Sequence, residues 1–427
     1  MLPDLKTRRR ILKNVKERIL KNHVNVGNID YADWVEKFDR AEADLLSTAD
    51  KEIFEAGVQQ ILAQLNTSHL MFYDKLPKHF PAPYTIGATL QPVKNAQDRI
   101  AWGFLDIFNN GPAQKAGIRA GELLLSLDGV PTVPPVLPVF AIGCKHRLGV
   151  ADVHRENLRE IEIPIPTAKP SVARPPIIAP DALTYWFPEP SIAVLRLTWF
   201  PGFAGIGFSR QLAKAMKSIN RQSCRGLIVD LRGNLGGSLG FVSLASYLCS
   251  EKLPIGYSLT PKSLAKGYGN SVLPIVPFPN LATLSGVLQF WAKLARYSFK
   301  DKSVVLMTQG LGPQPFHGRI VILTNIWTSS AAEIAAAFAK EHNLATIIGT
   351  KTAGKVLSAA SVKVGAGYWL RLPFLAWYSW PQQLIEGVGV SPDIKVEPDP
   401  ELLACGLDPQ LSKAIEVLRE RLKVSAG

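Results

Sequence analysis

The stretch Gly318-Arg-Ile-Val-Ile-Leu-Thr-Asn-Ile-Trp-Thr-Ser-Ser330-Ala-Ala-Glu333-Ile334 decides the fold of this chain. Its first part is an apolar run that predicts a buried strand, and its last part is rich in alanine and predicts a helix. Ser330 stands between the two, and Glu333 follows three positions later, as in a capping box. The sequence therefore predicts a strand, a short turn and a helix with a serine hydroxyl at its N-terminus.

A second segment presents a lysine in a similar way. The run Ala345-Thr-Ile-Ile-Gly349 predicts another buried strand, and Thr350-Lys-Thr-Ala-Gly-Lys355 follows it as a glycine-containing turn. A lysine on such a turn can reach a neighbouring turn. Ser330 and Lys355 are therefore the candidate nucleophile and base of a catalytic dyad.

A lysine base must be neutral before it can take the proton of a serine hydroxyl. Its ordinary pKa near ~10.4 must fall toward ~7 to 8, and burial in an apolar turn has that effect. Lys355 has apolar neighbours in Val356 and Leu357. Histidine is a weaker candidate here, because His342 lies roughly 18 Å along the helix from Ser330 and His317 precedes the strand.

The negative charge that develops on an attacked carbonyl oxygen needs hydrogen-bond donors. Asp230-Leu-Arg-Gly-Asn-Leu-Gly-Gly237 follows a predicted strand and ends in glycines, which let backbone N–H groups approach a substrate. The N–H of Ala331, at the helix start, is another candidate. The predicted oxyanion hole consists of Gly236, Gly237 and Ala331.

The chain divides into regions with different sequence patterns. Helical periodicity dominates first, short strands and turns follow, a proline-rich stretch over 164–180 predicts a linker, and apolar strands then alternate with helices. An alternation of this kind predicts an α/β domain. The predicted units are a helical region 1–80, a β-rich unit 84–166, an α/β domain 181–400 with an insert at 251–316, and a C-terminal helix 401–427.

Composition indicates a globular protein with room for a buried site. The chain has 427 residues, of which 47% are hydrophobic and 19% charged. Its four cysteines, Cys144, Cys224, Cys249 and Cys405, are widely spaced and predict neither a zinc site nor a disulfide framework. No metal or organic cofactor is implied, and a reducing compartment is favoured.

Nearly half of the net charge of +13 lies at the start of the chain, where residues 1–21 hold eight basic and two acidic residues. For this reason no nucleic-acid partner is predicted. Ile11, Leu12, Val15, Ile19 and Leu20 recur there at helical spacing. The segment 1–21 is predicted to be an amphipathic helix that docks on its own protein, on a second copy or, as a peripheral contact, on an anionic membrane surface.

Neither a secretory signal nor a membrane-spanning run of ~18 apolar residues is recognised. The sequence therefore predicts a soluble, cytoplasmic protein.

Four segments carry a resemblance to a known family: Asp230–Gly237, Thr328–Ile334, Gly349–Lys355 and Glu386-Gly-Val-Gly-Val-Ser-Pro-Asp393. In this order they resemble the S41 family of serine peptidases, the carboxyl-terminal processing or tail-specific proteases. The resemblance implies a ClpP/crotonase-like α/β catalytic domain, an all-β PDZ-like domain and an N-terminal helical region. It also implies a Ser/Lys dyad, and it places the oxyanion hole in the glycine-rich region. The insert 251–316 resembles nothing in the family.

The resemblance suggests a peptide-binding loop in the PDZ-like unit. Thr85, Ile86, Gly87 and Ala88 resemble the loop whose N–H groups capture the terminal carboxylate of a peptide. Substrates would then be recognised by their C-terminal tails. Alternatively, these are ordinary strand residues and the unit only gates the catalytic cleft.

The chain departs from the family at two positions near the dyad. Ala359 stands where several relatives have a glutamine that orients the base, and Val356 stands where glycine is usual. Ser358 and Ser361 are candidate substitutes for the missing group. Glu341 occupies a place where the family often has an acidic residue, although a solvent-facing carboxylate is the simpler interpretation.

The sequence therefore predicts a serine endopeptidase that cleaves protein or peptide substrates near their C-termini. Each segment alone also fits a structural role: Ser330 as a helix cap, Lys355 as a solvated turn residue and Asp230–Gly237 as an ordinary glycine turn. The alternative function is a non-catalytic protein on the same fold that binds peptides or lipids, and a third is a membrane-associated scaffold.

Overall fold

The computed structural model describes residues 2–27, 29–75, 79–95, 97–167, 181–202, 204–297, 302–313 and 315–424. Most of the predicted proline-rich linker 164–180 lies outside these ranges. Within them, every helix is too short or too polar to cross a lipid bilayer.

Three helices and a strand form the N-terminal region: α1 (Leu5–Asn22), α2 (Tyr31–Ser47), α3 (Lys51–Ala63) and β1 (Met71–Asp74). Each helix begins after an aspartate whose carboxylate accepts a backbone N–H of the first turn, namely Asp4, Asp30 and Asp50. Such caps satisfy N–H groups that have no partner within the helix.

The apolar face of α1 is covered by the protein itself. Ile11, Leu12, Val15 and Ile19 are 0% exposed in the core of the N-terminal region. Buried Arg8 donates hydrogen bonds to carbonyl oxygens at the end of α2, 2.5 Å away at Thr48. Docking on its own protein is therefore confirmed for these four side chains, whereas Leu20, the fifth residue of the predicted apolar set, is 49% exposed.

A small β unit follows, built from short elements joined by turns. Its elements are β2 (His79–Pro81), α4 (Ala82–Thr85), β3 (Ala88–Lys94), β4 (Ile100–Ile107), α5 (Pro112–Lys115), β5 (Leu123–Leu127), β6 (Val130–Pro131), β7 (Val139–Ala141), β8 (Lys145–Ala151) and β9 (Arg159–Pro164). The main sheet runs β3-β4-β5-β8-β9, so β3 is an edge strand.

The rest of the chain alternates strands and helices. Its elements are β10 (Leu183–Glu189), β11 (Ile192–Leu197), α6 (Ile206–Arg221), β12 (Gly226–Asp230), α7 (Gly240–Leu248), β13 (Pro254–Leu259), α8 (Pro261–Ala265), β14 (Ile275–Pro277), α9 (Leu284–Tyr297), β15 (Val304–Met307), β16 (Arg319–Thr324), α10 (Ala331–Glu341), β17 (Thr346–Gly349), β18 (Ser358–Gly365), β19 (Tyr368–Ser379), β20 (Ile394–Lys395), α11 (Pro400–Ala404) and α12 (Pro409–Val424). The predicted C-terminal helical segment thus holds α12 and most of α11.

A six-stranded sheet in the order β10-β11-β12-β16-β17-β20 forms the centre, and all its neighbours are parallel except the pair β10 and β11. Side chains alternate between its two faces. Leu195, Val229 and Ile322 face α6, α7 and α10, whereas Val194 and Ile228 face α12. Helices on both faces of a mostly parallel sheet confirm the predicted α/β class.

The long strand β19 joins the N-terminal region and the insert to this core. It pairs antiparallel with β1, with β18 and with β13. Because β13 belongs to the insert 251–316 and continues the sheet to β15 and β14, the insert is part of the second sheet rather than a separate appendage.

A buried histidine ties the end of α1 to the loop after α3. His23 is 4% exposed, its Nδ1 lies 2.8 Å from the Tyr31 hydroxyl, and its Nε2 lies 3.0 Å from Oγ1 of Thr67. Burial lowers the pKa of His23 to about 4. The folded state thus binds this proton less readily than the unfolded chain does.

We expect His23→Gln to reduce the acid sensitivity of the fold. Because the pKa of His23 is lowered by folding, the free energy of unfolding has its full value above about pH 6.5 and decreases as the pH falls toward about 4. This effect amounts to roughly 3 kcal/mol, and the substitution removes it. Urea unfolding at pH 7.5 and 4.5 measures the difference, with exposed His79→Gln as the control. An unchanged pH dependence in His23→Gln would contradict the assignment.

Candidate active site

Three loops of the α/β domain meet at one edge of the parallel sheet. β12, β16 and β17 are adjacent, and they end at Asp230, Thr324 and Gly349. The carboxyl ends of parallel neighbours lie at the same edge, which is where open α/β sheets hold ligands. The glycine-rich turn, the Ser330 loop and the Lys355 turn are therefore brought together.

Ser330 is held in a strained backbone conformation directly before α10. Its φ is 55° and its ψ is −122°, a region that residues with a side chain avoid. Its N–H donates to Oε2 of Glu333 at 3.1 Å, and the N–H of Ser329 donates to the carbonyl of Asn234 at 2.9 Å. The strain costs ~1 to 3 kcal/mol, and a hydrogen bond to a carboxylate contributes a similar amount.

Glu333 does more than cap the helix. Its side chain is 0% exposed, and its carboxylate also accepts hydrogen bonds from the Thr352 hydroxyl at 2.5 Å and from the N–H groups of Gly354 at 2.6 Å and Lys355 at 2.8 Å. Burial raises the pKa of Glu333, although these hydrogen bonds oppose the change. One buried carboxyl group thus links the serine loop to the lysine turn.

The exposure of the Lys355 side chain differs from the burial that the sequence predicts. Val356 and Leu357 are 2% and 1% exposed, but Lys355 itself is exposed. Their side chains pack inward while that of Lys355 points to solvent. Burial, which the lysine-base argument required, is not present.

The glycine turn supplies one free donor rather than two. The N–H of Gly236 already donates to Oδ1 of Asn234 at 2.8 Å, which corrects its predicted role in the oxyanion hole. By contrast, the N–H groups of Gly237 and Ala331 have no acceptor among the described residues. Gly236 instead lets the glycine turn lie close to the loop of Ser330. Its φ is +89°, and a Cβ atom there would lie 2.6 Å from Cβ of Ser330.

His69, which the sequence does not mark as a candidate, lies beside the lysine turn. It sits between α3 and β1 with a φ of 63°, and its Nδ1 is 2.8 Å from Oγ of Ser68. Burial, followed by the charges of Arg371 and Lys355, lowers its pKa to about 4. Nε2 has no hydrogen-bond partner in the described part of the chain. A neutral imidazole with one free nitrogen is thus available near Lys355.

A second buried carboxylate fixes this histidine loop. Oε1 of Glu386 accepts the N–H of Ser68 at 2.9 Å, while its Oε2 accepts the N–H of Val356 at 2.8 Å and of Leu357 at 3.3 Å. Glu386 therefore joins the loop of His69 to the turn that follows Lys355. The only cue in the sequence was a histidine before the short strand-forming run Leu70–Tyr73.

The two predicted supporting residues lie elsewhere. Glu341 is the last residue of α10, roughly 16 Å along the helix axis from Ser330, so it does not support the site. Ser358 is exposed at the first position of β18, where its backbone pairs with β19, and its hydroxyl makes no hydrogen bond to another described residue. Neither substitutes for the group missing at Ala359.

The predicted peptide-binding loop is closed. Thr85, Ile86, Gly87 and Ala88 are buried, and the N–H groups of Ile86 and Gly87 both donate to the carbonyl of Ala82. A peptide carboxylate cannot use donors that are already paired and covered. The structure therefore does not present these four residues as a carboxylate site.

The small β unit is fixed to the serine loop instead. The indole N–H of Trp327 donates to the carbonyl of Leu90 in edge strand β3, and the Trp327 side chain packs in the core of the β unit. Arg196 of β11 pairs with Asp106 of β4 at 2.8 Å. The β unit thus contacts the chain only three residues before Ser330.

A serine held in a strained turn before a helix, with free backbone donors on a neighbouring glycine turn, is an arrangement that serine hydrolases use. Residues 191–396 match the model of peptidase family S41.

Curated relatives have related names. A carboxy-terminal-processing protease of Bartonella bacilliformis is 26% identical over 68% of this chain and 57% of its own length. The tricorn protease of Thermoplasma acidophilum is 30% identical over 48% of this chain and 15% of its own length. The chain therefore spans little more than half the length of the first of these relatives and a small part of the second.

A solved structure shares the fold. The photosystem II D1 C-terminal processing protease superimposes with a TM-score of 0.58 at 16% identity, over 96% of this chain and 97% of that one.

We expect Gly236→Ala to disable Ser330 while leaving the fold intact. The added methyl group would lie 2.6 Å from Cβ of Ser330 and 2.9 Å from the nitrogen of Ala331, so the nucleophile must shift. The rate of covalent labelling of Ser330 by a fluorophosphonate should fall about 100-fold. Gly117→Ala is the matched control, because its φ is +75° but its Cβ would meet nothing within 4 Å. Equal labelling of the two variants would contradict this account.

Proposed function

We propose that this chain is a serine endopeptidase that cleaves protein or peptide substrates near their carboxyl termini. The observation that carries the proposal is the strained Ser330 beside the unpaired N–H groups of Gly237 and Ala331. The match of residues 191–396 to the model of peptidase family S41 and the names of the relatives support it. Because the chain spans only part of those relatives, cleavage near carboxyl termini is inferred from their names.

In the first step, Oγ of Ser330 bonds to the carbonyl carbon of the scissile peptide and its proton passes to a base. The carbonyl oxygen becomes an oxyanion, which the N–H groups of Gly237 and Ala331 stabilise. The base then returns the proton to the leaving amine as the C–N bond breaks. Water repeats the sequence on the acyl ester and regenerates Ser330.

Two residues compete for the role of the base. Lys355 is the base that the sequence predicts, but its exposed side chain lacks the burial that makes a lysine neutral. His69 is neutral at pH 7, because burial and two neighbouring cations lower its pKa to about 4. We therefore assign the proton transfer to Nε2 of His69 and regard Lys355 as a positive charge beside it.

The contacts of His69 suit this role. Nδ1 is paired with Oγ of Ser68, which leaves Nε2 without a partner among the described residues and able to accept a proton. The loop is anchored by Glu386, which accepts the N–H of Ser68, and Thr67 contacts buried His23. In the usual arrangement for activating a serine, a third group orients the base by a hydrogen bond to its other ring nitrogen.

We further assign the small β unit as a PDZ-like domain whose edge strand is turned toward the catalytic loop. Trp327 and the pair of Arg196 with Asp106 fix it there, and Thr85–Ala88 are closed. In this arrangement the unit supports the serine loop. Tail capture at Thr85–Ala88 would require the unit to change conformation.

Cleavage of an unfolded protein with a free apolar C-terminus tests the proposed function. We expect Ser330→Ala and His69→Gln each to lower the rate at least about a thousand-fold while the fold is retained. Circular dichroism and thermal unfolding serve as checks on folding. Tight binding of the substrate without cleavage by the wild-type chain would instead favour the peptide-binding alternative.

Lys355→Ala distinguishes the two bases. If His69 is the base, loss of the neighbouring charge raises the pKa of His69, so the acid limb of kcat/KM moves to higher pH by roughly half a unit. The maximal rate then stays within a few-fold of wild type. Lys351→Ala, an exposed lysine of the same turn, is the control. Loss of cleavage by Lys355→Ala at every pH would return the role to Lys355.

A further inference from the structure

The carboxyl group of Glu333 receives donors from two separate parts of the chain. The N–H of Ser330 comes from the loop after β16, whereas the Thr352 hydroxyl and the N–H groups of Gly354 and Lys355 come from the loop after β17. A helix cap needs only the first of these contacts. The other three connect different strands.

The backbone N–H groups of Ser330 and Lys355 donate to the same carboxylate oxygen of Glu333. Oε2 of Glu333 lies 3.1 Å from the nitrogen of Ser330 and 2.8 Å from the nitrogen of Lys355. The position of one loop therefore restricts that of the other. Since Val356 and Leu357 donate to Glu386, which also holds Ser68, the restriction extends to the histidine loop.

We infer that Glu333 is a positioning residue that sets the spacing between the nucleophile Ser330 and the turn of Lys355, and through Glu386 the spacing to His69. The inference rests on the proposed function for its catalytic meaning. A carboxylate suits the task because it accepts several hydrogen bonds at once. A glutamine of the same shape has one acceptor oxygen and an NH₂ group that would face N–H donors.

The test compares Glu333→Gln with Ala336→Gly in the full chain. Ala336 is buried in the middle of α10 and takes no part in the hydrogen bonds of Glu333, so its replacement by glycine destabilises the same helix without removing those bonds. Two quantities are measured: the rate of fluorophosphonate labelling at Ser330, and amide hydrogen exchange at residues 329–333 and 352–357.

We expect Glu333→Gln to lower the labelling rate about 100-fold and to speed exchange in both loops together, whereas Ala336→Gly leaves the labelling rate of the folded fraction unchanged. Glu333→Asp should restore part of the rate. The inference is overturned if both variants label alike, or if exchange rises only at 329–333, as loss of a simple cap would give.

The two failures are distinguishable. If the wild-type chain neither labels at Ser330 nor cleaves protein, the proposed function fails. Hydrogen exchange still decides whether Glu333 couples the two loops, because it needs no catalysis.

Discussion

The parallel register of β12, β16 and β17 is the constraint on which the site depends. Strand β16 pairs with β12 on one side and β17 on the other, so three successive loops leave the sheet at one edge. The strands are fixed by apolar side chains that pack against helices on both faces. The loops themselves are then adjusted by polar contacts, chiefly those of buried Glu333 and Asn234. Hydrophobic burial thus brings the loops together, and hydrogen bonds set their separation.

A second sheet completes the site from a distant part of the sequence. Strand β1 pairs with β19, and this pairing brings the loop of Ser68 and His69 to Glu386 and the lysine turn. Helix α1 of the N-terminal region packs on the same sheet. His23, which follows α1, makes a hydrogen bond to Thr67 in the loop that leads to His69. If His69 is the base, as we propose, the helical region therefore helps to position a catalytic residue.

The sequence predicted the parts of the site that have a local signature. An apolar run followed by Ser330 and an alanine-rich helix indicates a strand-to-helix turn, and the Gly236 and Gly237 pair indicates a turn with exposed N–H groups. It did not reveal His69, because β-pairing between distant segments brings that residue into place. The direction of the Lys355 side chain and the occupied N–H of Gly236 were also beyond reach, since each depends on one rotamer or one partner.

The proposed nucleophile and the proposed base belong to different hydrophobic cores. Ser330 directly precedes a helix of the central α/β core, whereas His69 lies two residues before the four-residue strand β1, whose Phe72 packs in the N-terminal core. Separate cores open with separate free energies, and short edge strands are among the first elements to do so. Heating should therefore move the imidazole of His69 away from the site while Ser330 keeps its folded conformation. Inactivation would then be a local and reversible melting of the N-terminal core, at a temperature below that of the parallel sheet.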